Sequence, residues 1–216
     1  MTDFAALRAA MVERQIAVRG LTDGPLLAAM REVPRERFVP AAVQELAYED
    51  GPLPIEAGQT ISQPYIVALM IAAARVAPGS RVLEIGAGSG YAAAVLSRIA
   101  AEVIAIERHG ELADLATARM AALDYANVRI VTGDGSAGWR DGAPYDAILV
   151  AASGRHVPER LKRQLKVGGA LVMPIGPAAE MQVLVRVSRQ GEESWQEKTL
   201  APVRFVPLIG EEGWRE

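Results

Sequence analysis

Three groups of residues in this sequence have types and spacings suited to chemistry. The first is Glu84-Ile85-Gly86-Ala87-Gly88-Ser89-Gly90-Tyr91, an acid followed by glycines at every second position. Glycines so placed let a backbone turn tightly and approach a ligand closely. The second is a pair of later acids: Glu107, seventeen residues past Gly90, and Asp134 between Gly133 and Gly135. The third is the polar octet Gly58-Gln59-Thr60-Ile61-Ser62-Gln63-Pro64-Tyr65, which runs straight into the apolar stretch IVALMIAAA. Read locally, the octet is a turn in which Ser62 or Gln63 caps a helix and Pro64 enters its first turn. Read chemically, it gathers small polar side chains at a helix start.

The glycine spacing separates two cofactors. Nicotinamide-binding folds use G-x-G-x-x-G, which requires glycine at a position that is Tyr91 here. The series Gly86, Gly88, Gly90 with an acid two residues ahead is instead the pattern associated with S-adenosylmethionine. That molecule has no pyrophosphate, but its α-amino group suits an acid such as Glu84, through water or nearby backbone. Glu107 ends the next expected strand, where a carboxylate in a doubly wound sheet accepts from two ribose hydroxyls. Its plain alternative is a solvated charge at a strand end. Asp134 is placed to accept from the adenine amino group, against the competing reading of an ordinary Asp-Gly turn.

These residues need elements to position them. Short β-rich runs occur at 81–85, 102–106, 128–132, 146–150 and 169–175, and helical patterns separate most of them, notably at 91–100 and 110–123. Alternation of this kind predicts βαβ units in a doubly wound, mostly parallel sheet buried on both faces. The three acids then fall at the carboxyl ends of successive strands, where open α/β sheets bind ligands. After residue 180, MQVLVRVSRQ, GEES and WQEKTLAPVRFVP read as a hairpin that adds antiparallel edge strands. Before the sheet, a helix ends at Gly20, a second opens at Thr22-Asp23-Gly24-Pro25 and ends near Val33, and an apolar helix runs from about Pro64 to Arg75. A single α/β domain is therefore expected, with a helical N-terminal extension over 1–78, a cofactor-binding core over 79–176 and a C-terminal hairpin over 177–216.

Half of the 216 residues are hydrophobic and 23% are charged, a folded and not a disordered composition. The net charge is −3 and Lys and Arg are scattered, so a nucleic-acid partner is disfavoured. With no cysteine there is no disulfide, thiolate metal site or Cys nucleophile, and no metal is expected. Asp3, Arg8, Glu13 and Arg14 interrupt the apolar residues of the N-terminus, unlike a signal peptide. No run reaches the roughly 18 apolar residues of a membrane span. A cytoplasmic monomer with no membrane association is expected.

Taken together, GQTISQPYIVALM ahead of VLEIGAGSGY resembles the protein-L-isoaspartate (D-aspartate) O-methyltransferase family. VPRERFVP, GDG at 133–135, YDAILVAA, VPERLKRQLKVGGALVMPIG and VRFVPLIGEEGW extend the likeness over about residues 10–214 in the family's order. The resemblance implies a class I S-adenosylmethionine-dependent methyltransferase fold. It implies methyl transfer to the free α-carboxyl of L-isoaspartyl residues in damaged proteins and peptides, starting repair through a succinimide. It also implies Ser62 as the active-site residue, Thr60 and Ile61 in the substrate site, and the Val203–Leu208 segment, with Val206 and Pro207, bordering the peptide. Glu84, Gly86, Gly88, Glu107, Asp134 and Gly135 fall on its cofactor-binding positions.

Some positions depart from the family pattern. Ala151-Ala152-Ser153 stands where the family tends to have Thr-Ala-Ala, Arg155 and His156 follow near the expected rim, and Glu56-Ala57 precedes the octet. These departures keep two rivals in view: methylation of a different carboxylate in a dedicated peptide, and a non-catalytic S-adenosylmethionine-binding module. The chain has only two histidines and no cysteine. That suits a reaction whose nucleophile, a carboxylate of pKa about 4, needs no general base. Ser62 then acts by donating to a carboxylate oxygen, helped by free amides at the helix start.

Overall fold

The computed structural model describes residues 2–178 and 180–215. Asp3 opens helix α1 (Phe4–Met11) by accepting the Ala6 N–H on its carboxylate at 3.0 Å, as short polar side chains do at an N-cap. The winding loosens to π over Val12–Ile16 and tightens to 3-10 over Ala17–Arg19, and Gly20 ends it at φ 88°. The helix expected up to Gly20 is thus continuous in path but not in winding. Asp23 caps α2 (Gly24–Glu32) through the Leu26 N–H at 2.9 Å. Pro34 stops it, and VPRERFVP becomes a 3-10 turn, Arg35–Phe38, with both Arg35 and Phe38 buried.

The octet departs from the helix-cap reading. Its Thr60–Ile61 is strand β2, paired antiparallel with β1 (Leu53–Pro54), so that Leu53 faces Ile61. Helix α3 (Pro64–Ala74) follows with Gln63 at its N-cap, yet no side chain caps it. The Gln63 amide instead donates to Asp50 Oδ1 at 2.8 Å and to the Asp50 carbonyl at 3.2 Å. Among the described residues the Ser62 hydroxyl has no protein hydrogen-bond partner. Pro64 has no N–H to satisfy, and the Ile66 and Val67 amides return to the Gln63 carbonyl, so few amides are left for an anion.

From Arg81 the chain alternates: β3 (Arg81–Ile85), α4 (Tyr91–Ser97), β4 (Glu102–Glu107), α5 (Gly110–Ala122), β5 (Val128–Thr132), β6 (Tyr145–Val150), α6 (Glu159–Arg163) and β7 (Leu165–Ile175). Strands β8 (Gln182–Gly191) and β9 (Ser194–Val203) form the C-terminal hairpin. The sheet order is β5-β4-β3-β6-β7-β8-β9, parallel up to β7 and antiparallel beyond it. Strand order reverses between β3 and β6, which puts the switch point outside their carboxyl ends. β7 starts at Leu165, four residues before the run expected from Gly169, and its pairing with β6 is irregular between Tyr145 and Ala147.

Each central strand feeds two cores by alternation. Val82, Val103, Ala105, Ala147 and Leu149 pack with the N-terminal helices, α3 and α4. Leu83, Ile85, Ile104, Ile106, Ile148 and Val150 pack with Leu161 of α6 and with Leu208. The functional loops emerge where these two cores meet the carboxyl edge of the sheet. Among the described residues no helix is long and apolar enough to cross a membrane.

Candidate active site

At the carboxyl ends of β3, β4 and β6 lies a cavity of about 1040 Å³, at the upper end of the usual range for small-molecule sites. The loop after β3 forms one wall. Gly86, Gly88 and Gly90 all take positive φ, at 85°, 53° and 87°, a region that disfavours any side chain. The Gly86 and Ala87 amides donate to the Ile106 carbonyl at 2.8 and 3.1 Å, which ties the loop to the end of β4. A Cβ on Gly90 would come within 2.9 Å of Met120 Cε on α5. The flexible Met120 tip can give way, so it is the positive φ of Gly90 that calls for glycine there.

Two carboxylates sit in this wall in different states. Glu107 accepts the Gly88 N–H on Oε2 at 2.8 Å and the His109 N–H on Oε1 at 2.9 Å. Each oxygen retains a lone pair. Glu84 is 2% exposed, and its Oε2 has no hydrogen-bond partner among the described residues. Burial, reinforced by the negative Glu107, pushes its carboxyl up to about 8.

Asp134 has a second set of partners. Its Oδ1 accepts the Ser136 N–H and its Oδ2 the Glu211 N–H, both at 2.8 Å. Gly133 and Gly135 line the cavity, and Asp134 is not among the lining residues. Burial works to raise its pKa, but the Glu211 amide and the Ser136 hydroxyl and amide outweigh it and hold it below the ordinary value. Besides any contact with an adenine amino group, for which each oxygen keeps a lone pair, Asp134 holds the C-terminal segment. Gly210 permits this approach, since a Cβ there would meet Asp134 Oδ1 at 2.0 Å. Gly135 is equally constrained, with a Cβ placed 2.6 Å from Ile85 Cγ2.

The cavity is also lined by Thr60, Ile61 and Ser62 together with Val206, Pro207 and Leu208. Residues 205–208 are fixed from two sides. Ser153 donates its N–H to the Val206 carbonyl and accepts the Leu208 N–H, both at 2.8 Å. The fully buried Gln182 accepts the Phe205 N–H at 2.7 Å and donates to the Phe205 carbonyl at 3.1 Å. Ser62, Glu84, Gly86, Gly88, Glu107, Gly135, Thr60, Ile61, Val206 and Pro207 thus share one cavity, and Asp134 supports it from behind.

Sequence reasoning passed over several residues here. Gln182 looks like an ordinary strand-edge amide, and Arg35 like one charge in a Pro-bounded turn; neither carries a local signal. Arg119 donates to the Ser89 carbonyl at 3.2 Å and pairs with Glu56 Oε1 at 3.3 Å. It joins the glycine loop to the unusual Glu56-Ala57 segment, and Ile55 packs against Gly88. His109, at the N-cap of α5, lines the cavity and makes no side-chain cap. Arg155 and His156 are not among the lining residues: Arg155 lies over the Trp214 ring at 4.3 Å and His156 is exposed.

The strand order, glycine loop and acids at successive strand ends define the class I S-adenosylmethionine-dependent methyltransferase fold. A sequence model described as protein-L-isoaspartate (D-aspartate) O-methyltransferase (PCMT) matches residues 6–213. The chain belongs to this family. Protein-L-isoaspartate O-methyltransferase 1 of Rhodopseudomonas palustris (strain HaA2) is 60% identical over 99% of this chain and 87% of its own. A solved protein-L-isoaspartate O-methyltransferase superposes with TM-score 0.85 at 29% identity, over 96% of this chain and 66% of that longer one. A Plasmodium falciparum PCMT in complex with S-adenosyl-L-homocysteine gives TM-score 0.80 at 26% identity, over 94% and 98% of the two chains.

Proposed function

We infer that this protein methylates the free α-carboxyl of L-isoaspartyl residues in damaged proteins and peptides, using S-adenosylmethionine, and so initiates their repair. The observation that carries the reading is one continuous cavity in a chain of this family. Glu84 and Glu107 line one side of it, and Ser62 and Val206 the other.

The residues present fit the cofactor. The buried, unpartnered Glu84 Oε2 suits a cationic α-amino group, and the spare lone pairs on Glu107 suit ribose hydroxyls. Gly86 and Gly88 allow close approach of the loop, and Gly135 contributes to the floor. When bound, S-adenosylmethionine supplies a methyl group on a sulfonium cation, a leaving group that needs no acid. Asp134 fixes the C-terminal segment, and each of its oxygens keeps a lone pair for the adenine amino group.

The substrate carboxylate, with a pKa of about 4, is ionised at neutral pH and needs no base. What the chain must supply is alignment. Holding reacting atoms about 3–3.5 Å apart and in line is worth roughly 7–11 kcal/mol of a barrier. Ser62 is the positioning donor. Its hydroxyl is committed neither to capping α3 nor to another protein group, so it is free to donate to a carboxylate oxygen. A neutral donor orients the anion without quenching it as an ammonium ion pair would. Thr60 and Ile61 line the same cavity, to which Ile61, Val206, Pro207 and Leu208 contribute apolar surface.

Of the departures, Arg155 and His156 lie off this cavity, whereas Ala151 and Ala152 line it and keep the dedicated-peptide rival as the second reading. Mass spectrometry tests the proposal. An isoaspartyl peptide incubated with enzyme and S-adenosylmethionine should gain one methyl ester and then pass to the succinimide. An unchanged peptide mass would contradict the reading.

A further inference from the structure

Arg35 has the largest fully buried side chain among the described residues, at 0% exposure. A charge this deep is costly unless its hydrogen bonds are made, and here two of its three nitrogens donate while Nη1 has no hydrogen-bond partner among the described residues. Among the described residues no carboxylate pairs with it, and burial lowers its pKa. Its partners are neutral and come from three separate segments. Nε donates to the Ala47 carbonyl at 2.7 Å, Nη2 donates to the Ser62 carbonyl at 2.8 Å, and the guanidinium lies 4.8 Å from the Tyr91 ring centroid.

Those partners are informative. Ser62 is the proposed carboxylate donor, and Tyr91 is the first residue of α4, directly after the glycine loop. One rigid, planar group therefore connects the substrate wall to the cofactor wall from behind the cavity. We propose that Arg35 is a positioning residue for methyl transfer: by holding the Ser62 carbonyl against the start of α4, it sets where the Ser62 hydroxyl points. The inference rests on the Ser62 assignment above. Its physical basis is the geometric tolerance of the reaction, in which a displacement of about 1 Å costs on the order of 10²-fold in rate. A residue that merely filled space would need neither a charge nor two aimed donors. Lysine, a single flexible point charge, does not reproduce the fork and the stacking together.

A double-mutant cycle on kcat for an isoaspartyl peptide tests this, with Kd for S-adenosylhomocysteine and melting temperature recorded in parallel. Arg35→Lys should lower kcat by about tenfold or more while that Kd stays within about threefold. If Arg35 acts through Ser62, adding Arg35→Lys to Ser62→Ala should cost almost nothing further. Losses that multiply, in a background where Ser62→Ala is itself impaired, overturn the Arg35 proposal alone. Normal turnover by Ser62→Ala removes the Ser62 assignment and this inference with it. Arg35→Gln, which keeps an amide donor and removes the buried charge, carries the same cycle if the lysine variant is unstable. If neither variant folds, Arg35 is a stability residue and the proposal falls.

Discussion

The Oδ2 oxygen of Asp134 accepts the Glu211 N–H at 2.8 Å, joining the turn after β5 to a segment seventy-seven residues further on. The C-terminal segment that follows Val206 and Pro207 is therefore anchored to the rim of the cofactor side. The turn after β5 and the C-terminal segment share a fastening.

Asp134→Ala removes the acceptor for two amides. Hydrogen bonds to a charged group are worth about 1.5–3 kcal/mol when buried, and less at this partly exposed position, so we expect a loss of about 1–2 kcal/mol. That corresponds to roughly 3–6 °C in a protein of this size. KM for an isoaspartyl peptide should rise more than Kd for S-adenosylhomocysteine. The folded-state pKa is below the ordinary 3.8. The contribution is therefore fully present above that value and lost on acidification below it. Unchanged melting and KM would count against the anchoring role.

Glu84 gives the opposite pH sign. Its folded-state carboxyl titrates at about 8 against an ordinary 4.5, so the folded protein keeps a proton that the unfolded chain has lost. Stability of the ligand-free protein should fall as pH rises between those values and level off above about 8. Glu84→Gln should flatten that slope. A bound ammonium would favour the carboxylate, so S-adenosylhomocysteine binding at pH 7 should release protons. Calorimetry in phosphate and Tris should then give different apparent enthalpies, and identical ones would contradict the assignment of Glu84.

Gln182→Leu keeps the volume of a fully buried side chain but leaves the Phe205 N–H and carbonyl without their partner. An unsatisfied buried group costs about 1–3 kcal/mol. We expect a lower melting temperature and a several-fold higher KM for peptide, with cofactor affinity retained. Equal losses in both affinities would show that Gln182 serves the whole fold and not the 205–208 segment.

The strands were legible because their signals are local. Runs such as RVLEI and VRIVT matched β3 and β5 residue for residue, since β-branched residues between turn formers leave little choice. The acids were legible because strand ends and glycines fix their place. What was not legible depended on distant partners. Ser62 and Gln63 read as a cap until Asp50 takes the Gln63 amide and Arg35 the Ser62 carbonyl. The sequence around Asp134 shows no sign that Glu211 and Ser136 also engage its oxygens. No local pattern reports a partner seventy-seven residues away.

The most direct test of the account compares kcat/KM for two peptides that differ only in an isoaspartyl or an aspartyl linkage, using radiolabelled S-adenosylmethionine and counting base-labile methyl ester. The account predicts label on the isoaspartyl peptide alone, and turnover reduced about 10–100-fold by Ser62→Ala with S-adenosylhomocysteine affinity retained. Equal labelling of both peptides, or of neither, would contradict it.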